Sequence, residues 1–297
     1  MRALVTGGRG FVGTWLAAHL RDEGDVVTLT DHEADVTDPE AISRVLRQAE
    51  PEAVYHLAAS SHVGRSWEEP ARVLQVNAMG TLNVLEAARR CDQPPVVLIT
   101  SSAEVYGTVS EEDLPLRESS ALRPVSPYAA SKVAAEYLGV QAHLGYGLSV
   151  LRVRPFNHVG PGQSDQFVVA ALAARIARAL RSGEKEVRVG NLTARRDLTD
   201  VRDVVRAYRL LVMHGRPGEV YNVCSGVDTA ISEIAETLVR LAGGNLTLQV
   251  DPELVRPVDL PVLRGDPGLL AATTGWAPEH DLEGTLADVL SHWQAAC

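Results

Sequence analysis

Thr6-Gly7-Gly8-Arg9-Gly10-Phe11-Val12-Gly13 is the stretch that decides the fold. It follows the apolar run Ala3-Leu4-Val5, which reads as a first strand, and leads into an amphipathic stretch over 11–23, which reads as a first helix. Two glycine registers fit, Gly7-Gly10-Gly13 and Gly8-Gly10-Gly13. Either allows a tight turn, close backbone approach to a pyrophosphate and a helix N-terminus whose free N–H groups face the anion. Placed between strand and helix, the pattern meets the context test for a dinucleotide site, with Gly7, Gly10, Phe11, Val12 and Gly13 as contacts. The second strand ends at Thr30-Asp31. An acidic residue there accepts from the adenosine ribose and favours NAD, whereas Arg9 suits the 2′-phosphate of NADP. The cofactor expected is NAD or NADP, with NAD preferred.

Outward from this stretch, continuous apolar runs recur at Val26–Leu29, Ala53–Tyr55, Val96–Ile99 and Leu148–Val153. Runs of this kind read as strands buried on both faces, hence a parallel sheet covered by helices. Helix periodicity is expected near 39–49, 70–90, 127–145, 165–182, 201–214, 231–242 and 281–296. Asp38-Pro39-Glu40 sets a capping residue before a first-turn proline. After residue 155, proline and glycine cluster at 155–162 and 256–268, and the element signals weaken. The fold expected is a Rossmann-type doubly wound α/β sheet with a small interleaved α/β lobe. Residues 1–154, with returning segments near 190–223, would bind dinucleotide, and 155–297 would form most of the substrate lobe.

Composition sets outer limits. The 297 residues are 45% hydrophobic and 22% charged, which excludes a disordered or fibrous chain. Net charge is −10 with no basic run, so neither nucleic acid nor a membrane surface is an expected partner. No apolar stretch approaches a membrane span. Cys91, Cys224 and Cys297 lack metal-ligand spacing, and an early first strand leaves no room for a leader, so a cytoplasmic setting is expected. No His/Cys/Asp cluster points to a metal. Of 28 basic residues, only Lys132 and Lys185 are lysine.

Lys132 belongs to Tyr128-Ala129-Ala130-Ser131-Lys132, which sets a phenol and an ammonium on one helix face. A free phenol, with a pKa of about 10, holds its proton too tightly for ready exchange. A nearby ammonium would lower it, making the pair an acid/base for a carbonyl–alcohol couple. Ser101-Ser102 follows the strand 96–100 at its carboxyl end, where open α/β sheets bind ligands. One of these hydroxyls can hydrogen-bond the reacting oxygen.

With these residues, the chain resembles the extended short-chain dehydrogenase/reductases over nearly its whole length. The resemblance is carried by the glycine stretch, Asp35-Val36-Thr37-Asp38, His56-Leu57-Ala58-Ala59, Asn77-Ala78-Met79-Gly80-Thr81, Ser101-Ser102, Tyr128–Lys132 and Arg154-Pro155-Phe156-Asn157. It implies that Tyr128 is the acid/base, that Lys132 also holds the nicotinamide ribose, and that Ser102 binds the substrate oxygen. Asp35 and Val36 would meet adenine, Leu57, Ala58 and Ala59 would line the cofactor, and Asn77 would lie near the nicotinamide. The family acts mostly on nucleotide-linked sugars.

The stretch 154–163 is similar to that of GDP-4-keto-6-deoxy-mannose reductases. Gly190–Asp197, Arg256-Pro257-Val258-Asp259 and Gly265-Asp266 are shared with GDP-mannose 4,6-dehydratases as well. Ser60-Ser61-His62-Val63 and Ser66-Trp67 resemble the segment that meets the hexose. The resemblance makes Ser61, Ser102, Asn157, Arg196, Arg256 and Asp259 the substrate contacts, the two guanidiniums on the diphosphate. It implies reduction of C4 of a GDP-4-keto-6-deoxy-hexose, giving a GDP-6-deoxy-hexose such as GDP-rhamnose. Glu104, two positions after Ser102, is where 4,6-dehydratases place a base, so dehydration stays open, as do 4-epimerisation and a non-catalytic dinucleotide sensor. The family also implies a homodimer through a four-helix bundle of helices 70–90 and 127–145.

Overall fold

The computed structural model describes residues 1–31, 34–254 and 260–296. Arg256, Asp259 and Cys297 lie outside the described residues. Six strands, β1 (Arg2–Thr6), β2 (Val26–Thr30), β3 (Ala53–His56), β4 (Val96–Thr100), β5 (Val150–Pro155) and β9 (Val220–Val223), form one sheet in the order β2-β1-β3-β4-β5-β9. Every pairing in it is parallel. The strand order reverses between β1 and β3, which is the position where doubly wound sheets open a ligand crevice.

Alternation along the strands builds two cores. Ala3, Val5, Tyr55, Leu98 and Val153 face α1 (Phe11–Asp22) and α7 (Val201–His214) through Leu16, Leu20, Val204 and Tyr208. Leu4, Val54, Val97, Ile99 and Val150 face α2 (Pro39–Ala49), α4 (Gly80–Arg89) and α5 (Pro127–Tyr146) through Ile42, Leu46, Val84 and Leu85. The expected Rossmann-type sheet is borne out. Burial on both faces fails for β2, where Val26 is 66% exposed; β2 is the sheet's edge and has only β1 beside it.

Helix starts follow the capping chemistry. Asp38 accepts from the Glu40 and Ala41 amides before Pro39. Ser126 accepts from the Ala129 amide before Pro127. The helix expected over 70–90 is three pieces, α3 (Pro70–Leu74), a π-turn Gln75–Met79 and α4. The π-turn carries Asn77 inward, to 2% exposure.

The second sheet joins β6 (Asn157–Val159), β8 (Arg195–Asp200), β10 (Asp228–Ala230) and β12 (Val262–Leu263) around β8, and β7 (Glu186–Val189) pairs with β11 (Thr247–Val250). Helices α6 (Val168–Ser182), α8 (Ile231–Leu241) and α10 (Leu282–Ala296) cover a core of Val159, Ile176, Val189, Leu198, Ile234 and Val289. A short α9 (Gly268–Thr274) packs by Leu270 against the main core. No helix among the described residues is long and apolar enough to cross a membrane.

Gly7 alone of the glycine turn has a positive φ, 67°, and a Cβ there would stand 2.8 Å from the Ala58 amide nitrogen. A Cβ at Gly13 would stand 2.3 Å from the Gly7 carbonyl oxygen. Gly7→Ala is therefore expected to destabilise the fold by about 2 kcal/mol and to weaken dinucleotide binding by about tenfold or more. Urea unfolding and cofactor titration of the variant check both.

Candidate active site

The crevice above the carboxyl ends of β1, β3 and β4 collects most of the residues singled out above. Gly10 starts α1 with no side-chain cap, so the first-turn amides face outward from the glycine turn. Phe11 stacks on His158 with ring centroids 6.2 Å apart and planes 8° from parallel. Trp15 Nε1 donates to the Pro161 carbonyl at 3.1 Å. The cradle helix is thus seamed to the segment after β6. His158 carries no periodic signal, and only its adjacency to Asn157 marks it in the sequence.

Asp31 is half-buried at the end of β2. Asp35 is exposed, its carboxylate accepting from the amide and hydroxyl of Thr37, both at 2.9 Å. Val36 is buried against Gly80, where a Cβ would stand 2.7 Å from the Val36 Cγ2. Leu57, Ala58 and Ala59 follow β3 half-buried, and the Ala58 amide donates to Thr6 Oγ1 at 3.3 Å. Asn77 clamps this segment to α5. Its Oδ1 accepts from the Ser60 amide at 2.8 Å, and its Nδ2 donates to Ser131 Oγ at 2.9 Å. Ser131 Oγ in turn donates to the Tyr128 carbonyl at 2.6 Å.

At the end of β4 the two serines part. Ser101 Oγ donates to Glu136, while Ser102 lies close enough to the Tyr128 phenol to favour its ionised form. Ser102 is therefore the hydroxyl left for a substrate oxygen, where the residues by themselves left both open and the family resemblance implied Ser102. Lys132 is 5% exposed, and its Nζ donates to the Thr100 carbonyl at 2.8 Å. Burial pushes its amine down to about 8, against the Glu136 carboxylate, which pushes it up.

Burial also pushes the Tyr128 phenol up to about 12. Ser102 opposes this and the Glu104 carboxylate adds to it. The expected lowering of Tyr128 by Lys132 is not met. The ammonium stands 5.9 Å from the ring centroid and is engaged by Thr100, so desolvation dominates. Glu104, on the turn Ala103–Tyr106, has its amide on Ser102 Oγ at 3.2 Å. His56, buried between Thr6 and Thr81 at 2.8 and 3.0 Å, is pushed down to about 3 by burial and by the Lys132 ammonium, and stays neutral.

Of the substrate candidates, Ser61 is exposed beyond β3 and Asn157 is half-buried in β6. Asn157 pairs in register with Leu198 of β8. Arg196, two positions earlier on the same face of β8, is 9% exposed and donates to the Arg195 carbonyl at 2.8 Å. Asn157 and Arg196 thus share one side of the lobe. Among the described residues no group of three His, Cys, Asp or Glu side chains is placed to hold a metal.

The chain matches the GDP-mannose 4,6 dehydratase family over residues 28–289. It belongs to that family. It is 40% identical over 298 residues to the GDP-6-deoxy-D-mannose reductase of Pseudomonas aeruginosa, covering 99% of this chain and 97% of that protein. A GDP-mannose 4,6-dehydratase of Vibrio cholerae is 28% identical, covering 97% of this chain and 92% of that one. That alignment runs over 346 positions, more than the 297 residues here, so the dehydratase carries insertions that this chain lacks. The structure of RMD from Pseudomonas aeruginosa complexed with NADPH superposes with a TM-score of 0.93 at 38% identity, covering 100% of both chains.

Proposed function

We propose that this chain reduces the C4 keto group of a GDP-4-keto-6-deoxy-hexose, using NADPH or NADH, to give a GDP-6-deoxy-hexose such as GDP-rhamnose. The observation that carries the reading is Tyr128: a buried phenol that keeps its proton at neutral pH, beside Ser102, is set as an acid. The 40% identity to a reductase and the dehydratase insertions missing here support the same direction.

The residues fit a dinucleotide. The positive φ at Gly7, the contact a Cβ at Gly13 would meet, and the uncapped start of α1 make a backbone surface that admits a pyrophosphate. Gly7, Gly10, Phe11, Val12 and Gly13 would hold the phosphates. Asp31, Asp35 and Val36 would take the adenosine, and Leu57, Ala58, Ala59 and Asn77 the rest of the cofactor. Bound there, the nicotinamide supplies the hydride. Ser102 binds the C4 oxygen, and Tyr128 donates its proton to that oxygen as negative charge builds on it. Lys132, held by Thr100, stabilises the phenolate that remains. Asn157 and Arg196, with Arg256 and Asp259, would bind the GDP portion, and Ser61 the hexose. The lobe of 155–200 and 224–297 would carry the sugar nucleotide, and the first 154 residues with α7 and β9 the cofactor.

One observation favours a second reading. The Glu104 carboxylate is near enough to raise the Tyr128 phenol, and it stands two positions after Ser102, where a dehydratase base would stand. A reductase needs no such base, because one hydride and one proton complete the reaction.

We also propose that the chain forms a homodimer through α3–α4 and α5. Leu74, Met79, Tyr137 and Leu144 are 43%, 50%, 61% and 77% exposed on these adjacent helices. Sedimentation is expected to give twice the chain mass, and Leu144→Arg is expected to give one chain mass with the fold intact.

For the activity, purified protein is incubated with GDP-4-keto-6-deoxy-mannose and reduced cofactor, and cofactor absorbance is followed. One equivalent consumed per sugar is expected, with turnover falling at least a thousandfold in Tyr128→Phe while cofactor affinity stays within about threefold. Glu104→Gln is expected to keep most of the rate. No consumption, with GDP-mannose converted to a keto sugar by the wild type and not by Glu104→Gln, would make the protein a dehydratase.

A further inference from the structure

Helix α5 presents Tyr128, Lys132 and Glu136 at successive turns of one face. Glu136 is fully buried, yet the proton transfer just described makes no use of it. Arg154 closes a fork on its carboxylate, Nε to Oε1 at 2.9 Å and Nη2 to Oε2 at 2.8 Å. Ser101 Oγ donates to the same Oε1 at 2.5 Å, and Arg152 Nη1 stands 3.9 Å from Oε2. Because Ser101 precedes Ser102, this carboxylate ties the end of β4, strand β5 and α5 together at the level of the reacting groups.

The network extends toward the lobe. Arg154 Nη1 donates to Tyr106 Oη at 3.1 Å and to the Glu118 carbonyl at 3.0 Å. Tyr106 donates to Asn222 Oδ1 at 2.6 Å, and Asn222 reaches the Glu118 carboxylate and the Leu116 carbonyl. Leu116 pairs with Gly265, beside β12.

We propose that Glu136 is a positioning residue of the proton-transfer pair. Its carboxylate, fixed by Arg154 and Ser101, keeps the Lys132 ammonium charged one helical turn away and sets the strand end that carries Ser102. The kinetic part of this inference rests on the reductase reading. Among the described residues, the other charged or titratable groups around Lys132 are neutral, positive or act on Tyr128. His56 approaches from β3 as a neutral ring, and Arg152 and Arg154 stand on β5 behind Glu136. The Thr100 carbonyl and Asn77 carry no charge, Tyr128 keeps its proton, and the Glu104 charge acts on the phenol rather than on Lys132. Burial draws the proton off Lys132, and the Glu136 carboxylate is the charge that opposes it.

Without that carboxylate, Lys132 loses its proton at lower pH, and the phenolate left by proton transfer loses its counter-charge. In Glu136→Gln the alkaline limb of the kcat–pH profile is expected to move down by about one pH unit or more, with kcat at pH 9 falling by about tenfold. Glu136→Asp, which keeps the charge, is expected to restore the limb. A readout free of turnover exists because the chain has two lysines. With ¹³C-lysine labelling, and Lys185→Arg to assign the signals, the Lys132 resonance is expected to titrate lower in Glu136→Gln by the same amount. An unmoved Lys132 titration in folded Glu136→Gln would overturn the proposal.

If Glu136→Gln does not fold, Ser101→Ala leaves the charge and releases one oxygen of the carboxylate. A kcat several-fold lower, with the alkaline limb and cofactor affinity unchanged, is then expected, and an unchanged kcat would overturn the proposal. A wild type that reduces no keto sugar would sink the reductase reading alone, because the lysine titration still decides the role of Glu136.

Discussion

A buried ammonium has to be held, and much of the site's architecture follows from holding Lys132. An isolated charge of this kind would give up its proton or draw water into the core. Here the Thr100 carbonyl takes the ammonium directly, which requires β4 to end where α5 begins its second turn. The helix must lie close on the sheet for the side chain to reach. Gly139 allows this, since a Cβ there would stand 2.8 Å from Ile99 Cδ1 and 3.2 Å from Val150 Cγ1. Asn77, turned inward by the π-turn, fixes the helix face from the other side through Ser131. Breaking the Glu136–Arg154 pair behind this arrangement would cost about 3–5 kcal/mol, as expected when one partner of a buried ion pair is removed.

The same economy of contacts joins the two halves of the molecule. The helix that starts the cradle touches the loop after β6 through Phe11–His158 and Trp15–Pro161. Asn157 opens β6, so a change at the cradle is felt one residue from a proposed diphosphate contact. Behind β5, the chain from Arg154 through Tyr106 and Asn222 reaches the segment that pairs with Gly265. The dinucleotide crevice and the lobe are therefore coupled along two separate seams.

Much of this was legible in the sequence, because local chemistry specifies it. The glycine turn, the capped start at Asp38, and the continuous apolar runs each require only neighbouring residues to be read. The second sheet was not legible. Its strands are two to six residues long and pair across distant segments, as β12 does with β8. The residues alone left Ser101 and Ser102 open and only the family resemblance chose Ser102; what was not legible is the carboxylate from another element that occupies Ser101. Nor was the high pKa of Tyr128: spacing put a lysine beside the phenol, but only packing shows that burial outweighs that charge. Glu136 had a signal in its i, i+4, i+8 relation to Tyr128 and Lys132, though a solvated helix face shows the same spacing.

The central claim is that this site delivers one hydride to C4 and one proton to its oxygen, with no proton drawn from C5. Turnover of GDP-4-keto-6-deoxy-mannose with cofactor deuterated at the transferable position, followed by NMR of the sugar, tests it directly. One deuterium at C4 of each product molecule and none elsewhere is the predicted result. A parallel run with unlabelled cofactor in D₂O should leave C5 unlabelled beyond its uncatalysed exchange. Solvent deuterium at C5 with none delivered to C4 would contradict the account and place the chemistry on Glu104.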